Sequence, residues 1–209
     1  MKLVKCIMIA SIVVCLTGKT TFASSIAAKA WYAEATDIKD PALLYGLTGS
    51  LSLSENLWIS AMFLTGTYDG ENDAGLPILD VDTTDAEVVL GYSFEYIDIG
   101  IGGRVSQWKW QNIDDDFLIF GPMVYAGLGD SIGDTPIGWY LGGSYMFKDF
   151  GDAYDKDWDA TYEHYNIEGG ISLALDPLSA TIGYRIKEYT DSEVDLDFKG
   201  VAATLGFGF

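Results

Sequence analysis

The sequence repeats one pattern along most of its length. Apolar residues occupy every second position, and Gly, Ala, Ser or Thr fill most positions between them. The last segment is the clearest case: it reads VAATLGFGF from Val201 to Phe209, with apolar or aromatic residues at odd positions and small residues mostly between them. Alternate side chains of a β-strand point to opposite faces. The pattern therefore predicts strands with one apolar face and one face of small or polar residues.

Nine segments follow this alternation, at 42–53, 57–68, 85–95, 97–110, 116–129, 136–148, 160–175, 179–190 and 197–209, and a weaker tenth lies at about 28–36. Most are long for soluble strands, which average about five or six residues. A tilted membrane strand needs about nine to eleven. The fold predicted is an all-β, transmembrane, antiparallel up-and-down barrel. An even count puts both termini on one side, which favours ten strands and leaves eight as the alternative.

The connections between these segments alternate in length. Short ones are predicted at 54–56, 96, 130–134 and 176–178, and longer acidic ones at 67–85, 111–116, 148–159 and 190–197. Counting back from Phe209, all the short connections fall on the side of the termini. Outer-membrane barrels have short periplasmic turns and longer extracellular loops, so the longer connections are predicted to lie outside the cell.

Two other all-β folds fit this pattern less well. A β-sandwich has exposed edges and shorter strands, and a soluble barrel needs a charged outer face. The polar positions here are mostly Gly, Ser, Thr and Ala, which fit a narrow lumen better than a wet exterior. Aromatic residues near segment ends are typical of interfacial girdles; they are Trp58, Tyr68, Tyr92, Phe94, Trp139, Phe147, Tyr165 and Phe207.

The first 23 residues have the features of a secretory signal peptide. Lys2 and Lys5 precede an apolar stretch from Cys6 to Leu16, and TFA at 21–23 offers small residues before a cleavage site. A stretch this short does not suit a membrane anchor. The predicted division is a signal peptide at 1–23 and a barrel at 24–209.

Removing residues 1–23 changes the chemistry available to the chain. Both cysteines lie in this segment, so disulfides, zinc–thiolate sites and thiol nucleophiles are excluded from the remainder. Three of the 12 basic residues also leave, so nine basic residues face 31 acidic ones, a net charge of −22. So acidic a chain does not suit nucleic acid as a partner.

These features together resemble the small outer-membrane β-barrels of Gram-negative bacteria, of the OmpA- and OmpX-like kind. The resemblance spans nearly all of residues 24–209 but singles out no subfamily, and those barrels commonly have eight strands. In such families a C-terminal aromatic strand is recognised by the barrel-assembly machinery. The resemblance implies that role for Leu205, Phe207 and Phe209. Outer-membrane lipid and lipopolysaccharide are the other expected partners, and a monomer is expected.

Charged and polar residues with inward parity predict a network inside the barrel. They are Glu87, Asp98, Arg104, His164, Asn166, Glu168, Arg185 and Lys187. Unpaired charges are costly in a narrow lumen, so opposite charges should pair. A plug of salt bridges with a structural or interaction role is the favoured interpretation. A small-solute channel is the alternative, although open channels belong to much larger barrels.

An outer-membrane lipid-modifying enzyme is the third interpretation, and it depends on His164, the only histidine. Outer-membrane lipid A deacylases have a His-x-Ser arrangement in which the serine is the nucleophile. In this sequence Asn166 stands at the position of that serine. No catalytic residue, cofactor or metal site is therefore predicted. The acidic stretches 69–73 and 152–159 lack the ligand spacing of a calcium-binding loop. Divalent-cation bridging to lipopolysaccharide phosphates is the only metal-dependent role left open for them.

Overall fold

A computed structural model of the chain describes residues 24–36, 38, 40–71, 77–110, 116–147, 163–190 and 195–209. They form ten strands: β1 Ser24–Ala35, β2 Ala42–Ser52, β3 Leu57–Glu71, β4 Pro77–Phe94, β5 Ile97–Trp110, β6 Asp116–Ser131, β7 Ile137–Met146, β8 Glu163–Leu175, β9 Leu178–Thr190 and β10 Asp195–Gly208. None of the described residues belongs to a helix long and apolar enough to span a bilayer.

The ten strands close into one antiparallel ring. Each strand pairs with its sequence neighbours, and β1 pairs with β10. The amide of Ser24 donates to the carbonyl of Phe209 at 3.1 Å, and the amide of Phe209 donates back at 2.9 Å. The predicted barrel and its ten strands are confirmed. The weak segment predicted at about 28–36 is the strand that closes the wall, and it begins four residues earlier, at Ser24.

The two rims of the barrel differ. The "turn end" has Ser24, Phe209 and the connections 53–56, 95–96, 132–136 and 176–177, and the "loop end" is the opposite rim. The connection predicted over 67–85 is wrong, because β3 continues to Glu71 and β4 begins at Pro77. Here the hydroxyl of Thr67 donates to Asp82 at 2.7 Å on the outer wall. The strands continue although the apolar alternation has ended. The connections predicted at 111–116 and 148–159 lie almost wholly outside the described residues.

An apolar belt surrounds the outer wall. On β9 it runs from Leu178 to Ile186 and ends at Glu188, which matches the strand length that crosses a membrane. Exposed apolar side chains continue it around the barrel: Leu43, Tyr45, Leu47, Leu90, Tyr92, Ile99, Ile101, Val124, Leu141, Ile167, Ile171, Val201, Leu205 and Phe207. At the loop end, polar residues such as Thr65, Glu163 and Lys199 take over the outward positions. A soluble barrel has the opposite arrangement.

Candidate functional site

The lumen divides into two halves along the barrel axis. The "loop half" is filled with buried side chains, charged ones near the middle and aromatic or aliphatic ones towards the loop end. The "turn half" is lined mostly by Gly, Ser and Thr, many of them only partly buried. The inward polar residues singled out above converge mainly in the loop half, so this half is the candidate site.

Two ion pairs cross the lumen between β4 and β9. These strands are five apart in either direction around a ring of ten, so they face each other across the diameter. The ammonium of Lys187 donates to Asp85 Oδ1 at 2.5 Å. Two residues along each strand, closer to the middle of the barrel, Arg185 Nη2 lies 3.4 Å from Glu87 Oε1. Asp85 is only 1% exposed. Isolated buried charges are costly, so each pair requires the opposite wall to be close.

Arg104 on β5 is the hub of the middle layer. Its Nε donates to Glu87 Oε1 at 2.9 Å, and Nη2 donates to the hydroxyl of Ser144 on β7 at 2.6 Å. Its Nη1 contacts the imidazole of His164 on β8, 3.2 Å from Nε2. One guanidinium thereby connects four strands. Arginine suits this position because its five donors are held in a fixed plane.

Arg185 and Lys29 extend the layer to the remaining wall. Arg185 Nε donates to Asn166 Oδ1 at 2.7 Å, and its guanidinium lies 4.8 Å from the centre of the Trp31 ring. Lys29 on β1 donates to Glu168 Oε2 at 2.5 Å, and the hydroxyl of Tyr140 donates to the other oxygen at 3.1 Å. Glu168 therefore has a charged and a neutral donor.

Aromatic rings meet across the lumen towards the loop end. Trp108 on β5 and Phe198 on β10 are also on opposite strands, yet their rings are 6.0 Å apart and nearly parallel. Tyr68 packs on Phe198 at 5.7 Å. Tyr189 stacks on His164 at 4.1 Å and links this aromatic layer to the ion pairs. The girdle position predicted for Tyr68 is wrong, because its ring is buried inside the barrel rather than exposed to lipid.

In the turn half, aromatic rings lie against glycines of neighbouring strands. A Cβ on Gly91 would lie 2.1 Å from the ring of Trp58, so only glycine leaves room for it. Trp58 also meets Tyr125 edge-on at 5.8 Å. The girdle prediction is therefore wrong for Trp58 as well, since it points inward from β3. Glycine at position 91 is therefore required by the ring of Trp58.

The structure brings six of the eight predicted inward polar residues into one connected group: Glu87, Arg104, His164, Asn166, Arg185 and Lys187. Glu168 instead pairs with Lys29 and Tyr140. Asp98 is also apart from the group, in the turn half, where it accepts a 2.6 Å hydrogen bond from Ser93. Sequence reasoning missed Asp85 and Lys29. Asp85 is the last residue of the connection predicted over 67–85, and Lys29 lies in the weakest predicted strand, at about 28–36. The signal for Asp85 was its parity, which it shares with Glu87.

The surroundings of His164 leave no room for a substrate. The residue is 0% exposed, with Tyr189 stacked on one face and Arg104 at its edge. A general base must reach the proton it removes, and these neighbours occupy that space. Among the residues that the structure describes, no group of three or more His, Cys, Asp or Glu could hold a metal ion. The arrangement is suited to pairing charges and filling space.

A closed antiparallel wall, an apolar outer belt and polar inward positions define an outer-membrane type of β-barrel. No protein-family model matches the sequence, and no curated protein matches it.

Several solved structures resemble the fold at low sequence identity. Neisserial surface protein A (NspA) is 14% identical, with 90% of this chain and 99% of that chain covered and a TM-score of 0.45. The transport unit of the autotransporter AIDA-I from Escherichia coli is 9% identical, with 92% and 91% covered and a TM-score of 0.46. The outer membrane protease OmpT from Escherichia coli is 11% identical, with 90% and 93% covered and a TM-score of 0.44. The assignment of this class rests on the barrel itself.

Proposed function

We propose that the protein is a sealed outer-membrane barrel that acts as a structural scaffold and presents acidic connections outside the cell. The contact between Trp108 and Phe198 carries this proposal, because side chains from opposite strands meet at 6.0 Å. The cross-lumen pair of Lys187 with Asp85, at 2.5 Å, supports it one layer below. A solute entering from the turn half would have to separate both layers, and the lower one consists of paired buried charges.

The proposal includes a location and an orientation. Residues 1–23 act as a cleaved signal peptide, the turn end faces the periplasm and the loop end faces outward. Short turns on the side of the termini support this orientation. The connection 147–162 at the loop end carries five aspartates and two lysines, which suits contact with water rather than lipid. The protein should fractionate with the outer membrane and migrate differently on a gel before and after heating. Recovery as a soluble periplasmic protein would contradict the proposal.

We infer an assembly role for the last strand. Leu205, Phe207 and Phe209 lie on the outer wall and are exposed, so the assembly machinery could contact them before lipid does. Replacing Phe209 with Ala should lower the yield of heat-modifiable barrel in the outer membrane. Ile26→Ala, on the facing strand, is the matched control. An equal loss in both variants would assign the effect to lost lipid contact instead.

Planar-bilayer conductance tests the sealed lumen. The wild-type protein should give no discrete steps. Trp108→Ala combined with Phe198→Ala should remove the outer aromatic contact and give measurable leak, provided the gel shift shows a folded barrel. Steps of uniform size from the wild-type protein would replace the scaffold with the small-solute channel. A silent double variant would place the seal in the ion-pair layer alone.

A further inference from the structure

The buried charges in the middle of the lumen do not balance. The connected group described above holds three cations and two carboxylates, which are Arg104, Arg185, Lys187, Asp85 and Glu87. His164 cannot supply a negative charge, and Lys29 with Glu168 adds one charge of each sign. The layer formed by these described residues therefore carries one surplus positive charge. A buried charge without a counter-ion is costly.

The surplus charge belongs to Arg185. Lys187 is paired with Asp85, since its ammonium lies 2.5 Å from Oδ1. Arg104 donates to Glu87 Oε1 through Nη2 and, at 2.9 Å, through Nε. Arg185 Nη2 is 3.4 Å from that same oxygen. Glu87 is therefore mainly the partner of Arg104, and Arg185 is left with a distant share of one carboxylate.

The other contacts of Arg185 are with uncharged groups. Its Nε donates to Asn166 Oδ1 at 2.7 Å, and its Nη1 lies 3.4 Å from the sulfur of Met62. A thioether is a weak acceptor. The buried Nη1 therefore has no strong partner in the part of the chain that the structure describes.

Trp31 supplies a second donor without an acceptor at the same place. Its ring is buried, and Nε1 has no hydrogen-bond partner among the described residues. Buried indole N–H groups usually have one. The guanidinium of Arg185 lies 4.8 Å from the centre of this ring. A surplus positive charge and two underused donors, from strands β1 and β9, therefore lie next to each other.

We propose that a small monovalent anion of the size of chloride binds beside Arg185 and Trp31. It accepts hydrogen bonds from Arg185 Nη1 and Trp31 Nε1, and bonds of this kind are strengthened by the charge. One negative charge matches the surplus, whereas a divalent anion would replace it with a deficit of the same size. The anion enters from the turn half, because Gly183 and Thr181 on that side of Arg185 are only partly buried, while Lys187 on the other side is buried.

A chloride titration of stability tests the proposal. Urea unfolding of the barrel in lipid bilayers is measured while gluconate, an anion too large for such a site, is replaced by chloride at constant ionic strength. An anion that binds only the folded state lowers the equilibrium constant for unfolding. A tenfold rise in chloride should lower this constant about three- to tenfold. An unfolding constant that does not depend on chloride would overturn the proposal.

Two pairs of variants locate the anion, and the heat-dependent gel shift confirms the folding of each. Arg185→Met removes the surplus charge and should abolish the chloride dependence. Lys199→Gln changes an exposed lysine of the outer wall and should retain it. Trp31→Phe keeps a ring but removes the N–H donor, and should raise the chloride concentration of half-maximal effect about tenfold. Trp58→Phe, in the turn half, should not raise it.

The two pairs are read independently. A chloride dependence that survives in Arg185→Met would mean that the anion binds elsewhere, and the proposal would be wrong. If Arg185→Met does not fold, Trp31→Phe decides. A half-maximal concentration unchanged from the wild-type protein, or raised equally in Trp58→Phe, would overturn the proposed site.

Discussion

The two halves of the lumen share one wall and differ completely inside. In the loop half, Asp85, Arg104 and Lys187 are buried and connected across the diameter by charged groups. In the turn half, the wall is mostly glycine and hydroxyl-bearing residues, and the larger side chains, such as Trp58, lie flat against it. The same ladder of backbone hydrogen bonds supports both. The outward pattern therefore determines the wall, and the inward residues determine whether the interior fills.

The two halves of the lumen should also differ in how well they tolerate substitutions. A buried ion pair gives little net stability, but losing one partner is costly because a charge is left without compensation. In the turn half the hydroxyls and carboxylates are partly exposed, so water can take the place of a lost hydrogen-bond partner. The loop half should therefore be sensitive to truncation of single residues, and the turn half should be tolerant.

The largest expected effect comes from Asp85→Ala. It leaves the ammonium of Lys187 buried without its carboxylate and removes the 2.5 Å acceptor of Ser106. We expect the free energy of unfolding, measured by urea titration in lipid bilayers, to fall by about 3–5 kcal/mol. Asp98→Ala in the turn half loses one hydrogen bond, from Ser93, and should cost about 1 kcal/mol or less.

Equal losses in the two aspartate variants would remove the distinction between the halves. Adding Lys187→Met to Asp85→Ala should restore part of the stability, because it removes the uncompensated charge. No recovery would mean that the cost arises from a lost space-filling contact rather than from charge.

A tryptophan pair gives the next largest effect. Trp108→Ala removes a buried ring that packs on both Tyr189 and Phe198, and should lower the free energy of unfolding by about 3 kcal/mol. Trp58→Ala removes a partly buried ring in the turn half and should cost about 1–2 kcal/mol. Urea titrations monitored by the heat-dependent gel shift give the free energy of unfolding of both variants. A larger loss for Trp58 would mean that the turn half is the better packed of the two.

The period-two pattern predicts the wall well because lipid contact requires it. Each outward position between Leu178 and Ile186 must be compatible with hydrocarbon, so the alternation marks the strand. Beyond the belt this requirement ends. Thr67 and Asp82 then lie on the outer wall while Thr83 and Asp85 face the lumen, so the apolar alternation no longer marks the strand. This is why the loop-end extensions of β3 and β4 were predicted as a connection.

The partners within the lumen could not be predicted, because parity gives the side of the sheet and not the height along the axis. Asp98 and Glu87 have the same inward parity, yet only Glu87 reaches Arg104. The height depends on how far strands slide along one another when the barrel closes, and no local pattern encodes that. The pairing of Lys187 with Asp85, five strands away, is a property of the closed ring.

The smallest effect tests how the thin wall of the turn half is packed. Gly91→Ala places a Cβ 2.1 Å from the ring of Trp58, so the ring must move away from β4. Such overpacking should cost about 1–2 kcal/mol in the free energy of unfolding. Gly103→Ala is the control, since its nearest neighbour is the carbonyl of Gly121 at 3.6 Å, and it should change stability by less than about 0.5 kcal/mol.

A double-mutant cycle decides whether Trp58 is the cause. In a Trp58→Ala background the three atoms nearest to the added methyl group are removed, so its cost should fall, with a coupling of about 1 kcal/mol between the two positions. Additive losses would show that the backbone at Gly91, rather than the ring, requires glycine. The glycines of the turn half would then be backbone requirements, and its small inward residues would no longer reflect rings laid against the wall.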